Sequence, residues 1–172
     1  MFYEVSGDLL LSQARLIAHG IAPGDHFSQG LALALRENWP ALAKDFRHYC
    51  QASHPKPGEI WMWHGPGIHV ANLMTQEAAY EHGSTPGVAH IEHVNHALRE
   101  LRKEIAKEGY ASVALPKLAT GVGKLEWEAV KPLIEKHLGD LGIPVFLYTT
   151  YQAGVAADES EAIQRGPASA KA

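Results

Sequence analysis

The sequence predicts a layered α/β protein with a largely parallel sheet and helices on both faces. Three observations point there. Short β-type runs alternate with stretches of helical periodicity, the order that builds parallel sheets with crossover helices. Two of the runs, residues 15–22 and 112–116, are mostly apolar with little alternation, as expected of strands covered on both faces. Two further runs, 60–63 and 68–73, are separated only by His64-Gly65-Pro66-Gly67, a hairpin connection that makes the sheet mixed.

Taken in order, Phe2-Tyr3-Glu4-Val5 is the first strand, ended by the turn-forming Ser6-Gly7-Asp8. Residues 15–22 form the second, ended by Pro23-Gly24-Asp25. From Ser28 onward Leu31, Leu35, Trp39 and Leu42 recur at helical intervals, interrupted or redirected at Pro40. A second helical stretch runs through Phe46 and Tyr49 to about Ala52, and residues 53–58 are a loop by composition. After the hairpin, residues 75–86 have no clear period. Val88, Ile91, Val94, Leu98, Leu101 and Ile105 then make one face of a long helix, stopped near Gly109. The buried strand 112–116 leads into a loop, and Trp127, Val130, Ile134 and Leu138 mark one more helix with Pro132 inside it. Val145-Phe146-Leu147-Tyr148-Thr149 is the last strand. Residues 152–172 lack a large apolar anchor and read as a flexible C-terminal tail, leaving 1–151 as one domain.

Composition narrows the function. The 172 residues are 46% hydrophobic and 20% charged, which suits a compact core and excludes a wholly disordered chain. Lys and Arg number 15 against 19 Asp and Glu, a formal charge of −4 that offers no basic field for non-specific nucleic acid binding. Phosphate binding must therefore be local and built from backbone. The single cysteine, Cys50, cannot form an internal disulfide, and the N-terminal residues lack the pattern of a signal peptide. With no membrane-length apolar run, the expectation is a cytoplasmic monomer without membrane contact, cofactor or metal.

In open α/β sheets ligands bind at the carboxyl ends of strands, which directs attention to four loops, those after Val5, Ala22, Leu73 and Leu115. Thr120-Gly121-Val122-Gly123-Lys124 offers glycines whose N–H groups can approach a phosphate. The stretch Gly24-Asp25-His26-Phe27-Ser28-Gln29-Gly30 makes the same offer and opens a helix at or just after Ser28. Each alone is an ordinary glycine-rich turn. Asp8, at the end of the first strand, can accept a hydrogen bond from a purine amino group or can simply cap a turn.

In combination these segments resemble the macrodomain family. The resemblance rests on Gly7-Asp8-Leu9-Leu10, Leu16-Ile17-Ala18-His19-Gly20, Gly24 to Gly30, Asn72-Leu73-Met74-Thr75-Gln76, and the block from Leu115-Pro116 through Thr120-Gly121-Val122-Gly123 to Leu125-Glu126-Trp127. Within the family the chain looks most like the branch of terminal ADP-ribose glycohydrolases and antitoxins acting on DNA-linked ADP-ribose. The resemblance implies an α/β/α sandwich, three layers deep, that binds ADP-ribose or an ADP-ribosylated macromolecule. It implies that Asp8 and Leu9 hold the adenine, and that Gly24, Ser28, Gln29, Gly30, Thr120, Gly121, Val122, Gly123 and Lys124 surround the diphosphate and distal ribose, near Gln76. Two positions depart from the branch: Gln76 stands where a lysine is found and Gly123 where an acidic residue is found. A glutamine amide cannot attack an anomeric carbon as a lysine amine can.

Two functions follow. One is a hydrolase that removes ADP-ribose from a modified macromolecule, or phosphate from ADP-ribose 1″-phosphate, with water activated by His19, Asp25 or His26. The other is a non-catalytic ADP-ribose binder, for which the glycine loops suffice. His19 divides evenly between a satisfied core histidine and a supporting group beside the ligand. His90, His93 and His96 recur every third residue on the long helix but drift around it and read as a solvated face. Trp61 and Trp63 point to one side of their strand and read as core, and Cys50 as a buried inert thiol.

Overall fold

The computed structural model describes residues 1–78, 87–121 and 123–160. Among these residues six strands form one sheet: β1 (Phe2–Gly7), β2 (Leu16–Ile21), β3 (Ile60–Gly65), β4 (Ile68–Met74), β5 (Val113–Pro116) and β6 (Val145–Tyr151). Their spatial order is β1-β6-β5-β2-β4-β3, all neighbours parallel except the β3–β4 hairpin. A 3₁₀ turn (Leu9–Leu11) follows β1, and four helices are found among the described residues: α1 (Gly30–Asn38), α2 (Pro40–Ser53), α3 (Ile91–Glu108) and α4 (Trp127–Leu138).

The period of two along a strand divides the core between the sheet's faces. From β2, Leu16 and Ala18 face α3 and α4, packing with Val94, Leu98, Leu101, Val130 and Ile134. Ile17 and Ile21 face the other way, onto Phe27, Leu35, Leu42 and Phe46 of the α1–α2 layer. The result is the three-layer α/β/α sandwich with a mixed, largely parallel sheet.

Local signals explain the helix ends. Trp39 closes α1 with an N–H bonded to the Leu35 carbonyl at 2.7 Å, and Pro40 begins α2, where its missing N–H costs nothing. Gly109, at φ 72°, ends α3 in the left-handed conformation. The helical stripe expected from Val88 begins instead at Ile91. Val88 is 43% exposed, and its neighbour Ala89 pairs with Gln76 in an isolated antiparallel bridge that occupies the backbone. The α4 helix continues through Pro132 without a break.

The expectation of a free tail from 152 is corrected for its first nine residues. Gln152 donates its N–H to the Gly7 carbonyl at 3.0 Å, and the Val155 carbonyl accepts the Asp8 N–H at 2.7 Å. Glu159, only 6% exposed, accepts from Ser12 Oγ at 2.7 Å, from the Gln13 N–H at 3.0 Å and from the Tyr148 hydroxyl. Backbone pairing and one buried carboxylate replace the apolar anchor whose absence suggested fraying. The remainder of the expected tail, 161–172, lies outside the described residues.

Candidate functional site

The carboxyl ends of β2, β5 and β6 diverge around a cleft made of two joined cavities. The first, about 380 Å³, is lined by Gly20, Ile21 and Asp25 from the end of β2 and its loop, and by Gln29 to Ala32 at the start of α1. Gln76, Pro116, Lys117, Ala119, Thr120, Gly121 and Gly123 form its other wall, with Tyr148, Thr149 and Tyr151 from β6. The second, about 420 Å³, is lined by Leu9, Leu31, Ala34, Pro116, Tyr148 and Tyr151, and its walls are almost wholly apolar. The pair suits a molecule with a flat apolar ring at one end and a polar, charged middle.

The first cavity, the more polar of the two, is shaped by backbone. No side chain of Gln29 caps α1, and Gly30, Leu31 and Ala32 of its first turn, whose N–H groups have no partner within the helix, line the cleft. Gly30 has φ 62° and open space where a Cβ would stand. On the opposite wall Gly123 is closely surrounded, since a Cβ there would lie 2.6 Å from the Ala119 carbonyl oxygen. Three non-glycine residues in these two loops hold a left-handed backbone, Phe27 at φ 58°, Ala119 at 62° and Lys124 at 66°. Such conformations cost energy and gather where loop geometry is dictated by a site. In the second loop α4 begins only at Trp127, so Thr120, Gly121 and Gly123 do not sit on a helix N-terminus.

The expected site residues separate by position. Leu9, Asp25, Gln29, Gly30, Gln76, Thr120, Gly121 and Gly123 line the cleft. Asp8 lies beside it at the end of β1, where Oδ1 accepts the Leu10 N–H at 3.0 Å and Oδ2 accepts the Gly154 N–H at 2.9 Å. Gly24, Ser28 and Lys124 are not among the lining residues. Gly24 is turned inward, its N–H 3.3 Å from Cys50 Sγ, while Ser28 and Lys124 are exposed. Val122 lies outside the described residues.

The three candidate acid/base groups are likewise distributed unequally. His19 lies on the face of β2 that packs under α1 and α2, 1% exposed, its ring 5.9 Å from that of Phe27. Its Nε2 bonds Asn72 Oδ1 at 2.7 Å, and burial lowers its pKa to about 4. His19 therefore stands in the core as a neutral, satisfied histidine, off the cleft wall. His26 is exposed and also off the wall, with its carbonyl accepting from Arg36 Nη1 at 3.3 Å. Asp25 alone of the three faces the cavity. Its Oδ1 accepts the Phe27 N–H at 2.7 Å, and burial raises its pKa above the ordinary carboxylate value against the pull of that bond and of nearby His26.

The cleft also recruits residues that sequence reasoning passed over. Lys117 is the one cation among the described lining residues, directly after β5. Tyr148 and Tyr151 wall both cavities from β6. Their sequence signal was their place at the carboxyl end of a strand, but only the sheet order brings that strand beside β5. Gln76 is 5% exposed, and its Nε2 donates to the Gly87 carbonyl at 3.1 Å. The other sequence features stay structural. Trp61 stacks on Tyr49 at 5.2 Å, the Trp63 indole donates to Asp45 at 2.8 Å, and His90 bonds Glu77 at 2.7 Å. Among the described residues no group of three or more His, Cys, Asp or Glu could hold a metal, and no helix is long and apolar enough to cross a membrane.

Comparison with known proteins agrees with this geometry. The model of the Macro domain family matches residues 25–134. A DNA ADP-ribosyl transferase–DNA ADP-ribosyl glycohydrolase fusion protein of Thermosipho africanus is 24% identical over 84% of the chain, which spans 40% of that protein's length. Human ADP-ribose glycohydrolase OARD1 is 23% identical over 84% of the chain and 89% of its own length. Among solved structures, the macrodomain of Thermus aquaticus DarG superposes with a TM-score of 0.76 at 25% identity, covering 87% of this chain and 98% of that one.

Proposed function

The chain belongs to the Macro domain family, and from that membership and its two-part cleft we propose that it binds ADP-ribose and hydrolyses an ADP-ribosyl derivative. The observation that carries the proposal is the junction of an apolar cavity, fit for adenine, with a more polar one built from glycine loops and the first turn of α1. In this arrangement the adenine packs among Leu9, Leu31 and Tyr151 beside Asp8. The diphosphate lies against the N–H groups of residues 30–32 and the ammonium of Lys117. The distal ribose lies toward Gln76, Thr120 and Gly123. A diphosphate can be held this way by a protein of net charge −4, because the donors are local and preorganised. The relatives' names point to the substrate class, a DNA-linked ADP-ribosyl group in one and ADP-ribose in the other. The buried single cysteine supports a reducing, cytoplasmic setting.

Asp25 is the general base of this proposal. It is the carboxylate on the described cleft wall, one of its oxygens is oriented by the Phe27 N–H, and burial makes it more basic than an exposed aspartate. Ionised, it takes a proton from water as that water attacks the substrate; the bond to the leaving group breaks with its electron pair going to that group, and Asp25 then passes the proton on to it. Wild-type protein is expected to bind ADP-ribose one to one by calorimetry and to release product from ADP-ribosylated DNA, ADP-ribosylated protein or ADP-ribose 1″-phosphate. Asp25→Asn should lower kcat by about 100-fold, in the range of general-base contributions, while leaving ADP-ribose affinity within about threefold. The acid limb of the wild-type profile should lie above the pKa of an ordinary aspartate, because activity is lost as Asp25 protonates, and it should vanish in the variant. A non-catalytic binder remains the second reading, favoured by one observation: Gln76 and Gly123 provide neither an amine nor a carboxylate at the polar end. Tight binding of ADP-ribose without turnover of any of the three substrates would establish it.

A further inference from the structure

We propose that residues 152–160 are part of the base-binding end of the cleft and that Glu159 is a positioning residue that sets Asp8 and Tyr148 for purine recognition; this rests on the reading of the cleft as an ADP-ribose site.

Beyond Tyr151 the chain turns back across the end of β1. A Cβ on Gly7 would fall 2.8 Å from the Ala157 nitrogen and from the Val155 carbonyl oxygen, so the returning strap lies directly on that glycine. Its Gly154 N–H donates to Asp8 Oδ2 at 2.9 Å, and its Val155 carbonyl accepts the Asp8 N–H at 2.7 Å. With Leu10 donating to Oδ1 at 3.0 Å, the Asp8 carboxylate is held at both oxygens, and each keeps a further lone pair for a ligand donor. The other end of the strap is fastened by Glu159, buried at 6% exposure. Its Oε1 accepts from Gln13 N–H at 3.0 Å, and its Oε2 accepts from Ser12 Oγ at 2.7 Å and from the Tyr148 hydroxyl. Tyr148 walls both cavities. One carboxylate thus joins the strap, the segment following the 3₁₀ turn, and an aromatic wall of the cleft.

A buried carboxylate costs free energy to desolvate, and three donors offset that cost. Removing the acceptor leaves a tyrosine hydroxyl, a serine hydroxyl and a backbone N–H without their partner, which releases the strap and with it the Gly154 bond that orients Asp8. An amino group on the base is the donor that an ionised Asp8 can accept. Discrimination between adenine and hypoxanthine, whose ring carries a carbonyl in place of that amino group, therefore reports the orientation of Asp8.

The test is calorimetric titration of wild type, Glu159→Ala, Glu159→Gln and Ser12→Ala with ADP-ribose and with inosine diphosphate ribose. Wild type should prefer ADP-ribose. Glu159→Ala should weaken ADP-ribose by about tenfold, the scale of one lost charge-assisted hydrogen bond, and inosine diphosphate ribose much less. Glu159→Gln, which keeps one acceptor oxygen, should recover part of the preference, and Ser12→Ala should lose part of it. An unchanged preference in Glu159→Ala, or an equal loss for both ligands, overturns the proposal. If Glu159→Ala does not fold, the decision passes to Ser12→Ala and Glu159→Gln, and wild-type preference in both overturns it equally. Failure of the wild type to bind either ligand instead overturns the reading of the cleft.

Discussion

Burial holds the His19 imidazole near pKa 4 in the folded chain, against 6.5 for the exposed ring of an unfolded one. Below pH 6.5 the unfolded state binds a proton that the native state refuses, so stability declines on acidification until about pH 4, where the native ring protonates as well. Down to pH 4.5 this one group should remove about 2–3 kcal/mol. Replacing His19 by Gln keeps a donor toward Asn72 without a titrating ring. The difference in unfolding free energy between pH 7 and pH 4.5, measured in urea, should be smaller in His19→Gln than in wild type by that amount. Equal differences would remove His19 from the acid response. Its part in the fold was half legible: a histidine inside an apolar strand reads as buried, but period-two alternation does not say which face meets the ligand. Asp25 was ambiguous for the opposite reason, because a turn aspartate and a cleft aspartate are alike until the loop is folded.

At the level of elements, the helices and the hairpin were legible because apolar spacing, Pro40 and Gly109 act locally. The strap over β1 was not, since it is held by backbone pairing and one carboxylate, neither of which leaves a periodic trace. A finer case lies on β3. The Trp63 ring folds over Gly65, whose Cβ would stand 2.3 Å from two of its carbons, and its indole N–H reaches Asp45 of α2 at 2.8 Å. The absence of a side chain at Gly65 thus lets an edge strand grip a helix. Gly65→Ala should displace the indole, cost about 1–3 kcal/mol as overpacking does, and shift the Trp63 indole N–H resonance while leaving that of Trp61, stacked on Tyr49, in place. A variant of unchanged stability and spectrum would show that the ring moves freely.

For the whole molecule, the layered architecture and the glycine-lined half of the cleft follow from order along the chain, since both loops come directly after buried strands. The aromatic half does not. Tyr148 and Tyr151 enter the site because β6 lies between β1 and β5, and that placement depends on how non-local segments cross, which no local pattern encodes. The same placement constrains how the protein is made. Of the six described strands the earliest in sequence, β1, is an edge whose one neighbour is the latest, β6, and β6 is interior to the sheet. Until β6 arrives, β1 has no partner and β5 lacks one of its two. During refolding followed by hydrogen-exchange labelling, amides of β1 and β6 should gain protection together and later than those of the β3–β4 hairpin, and early protection of β1 would refute this order. The apolar end of the cleft, walled by Tyr148 and Tyr151 of β6 and by Leu9 just after β1, thus takes shape only when the earliest and latest of these strands have met.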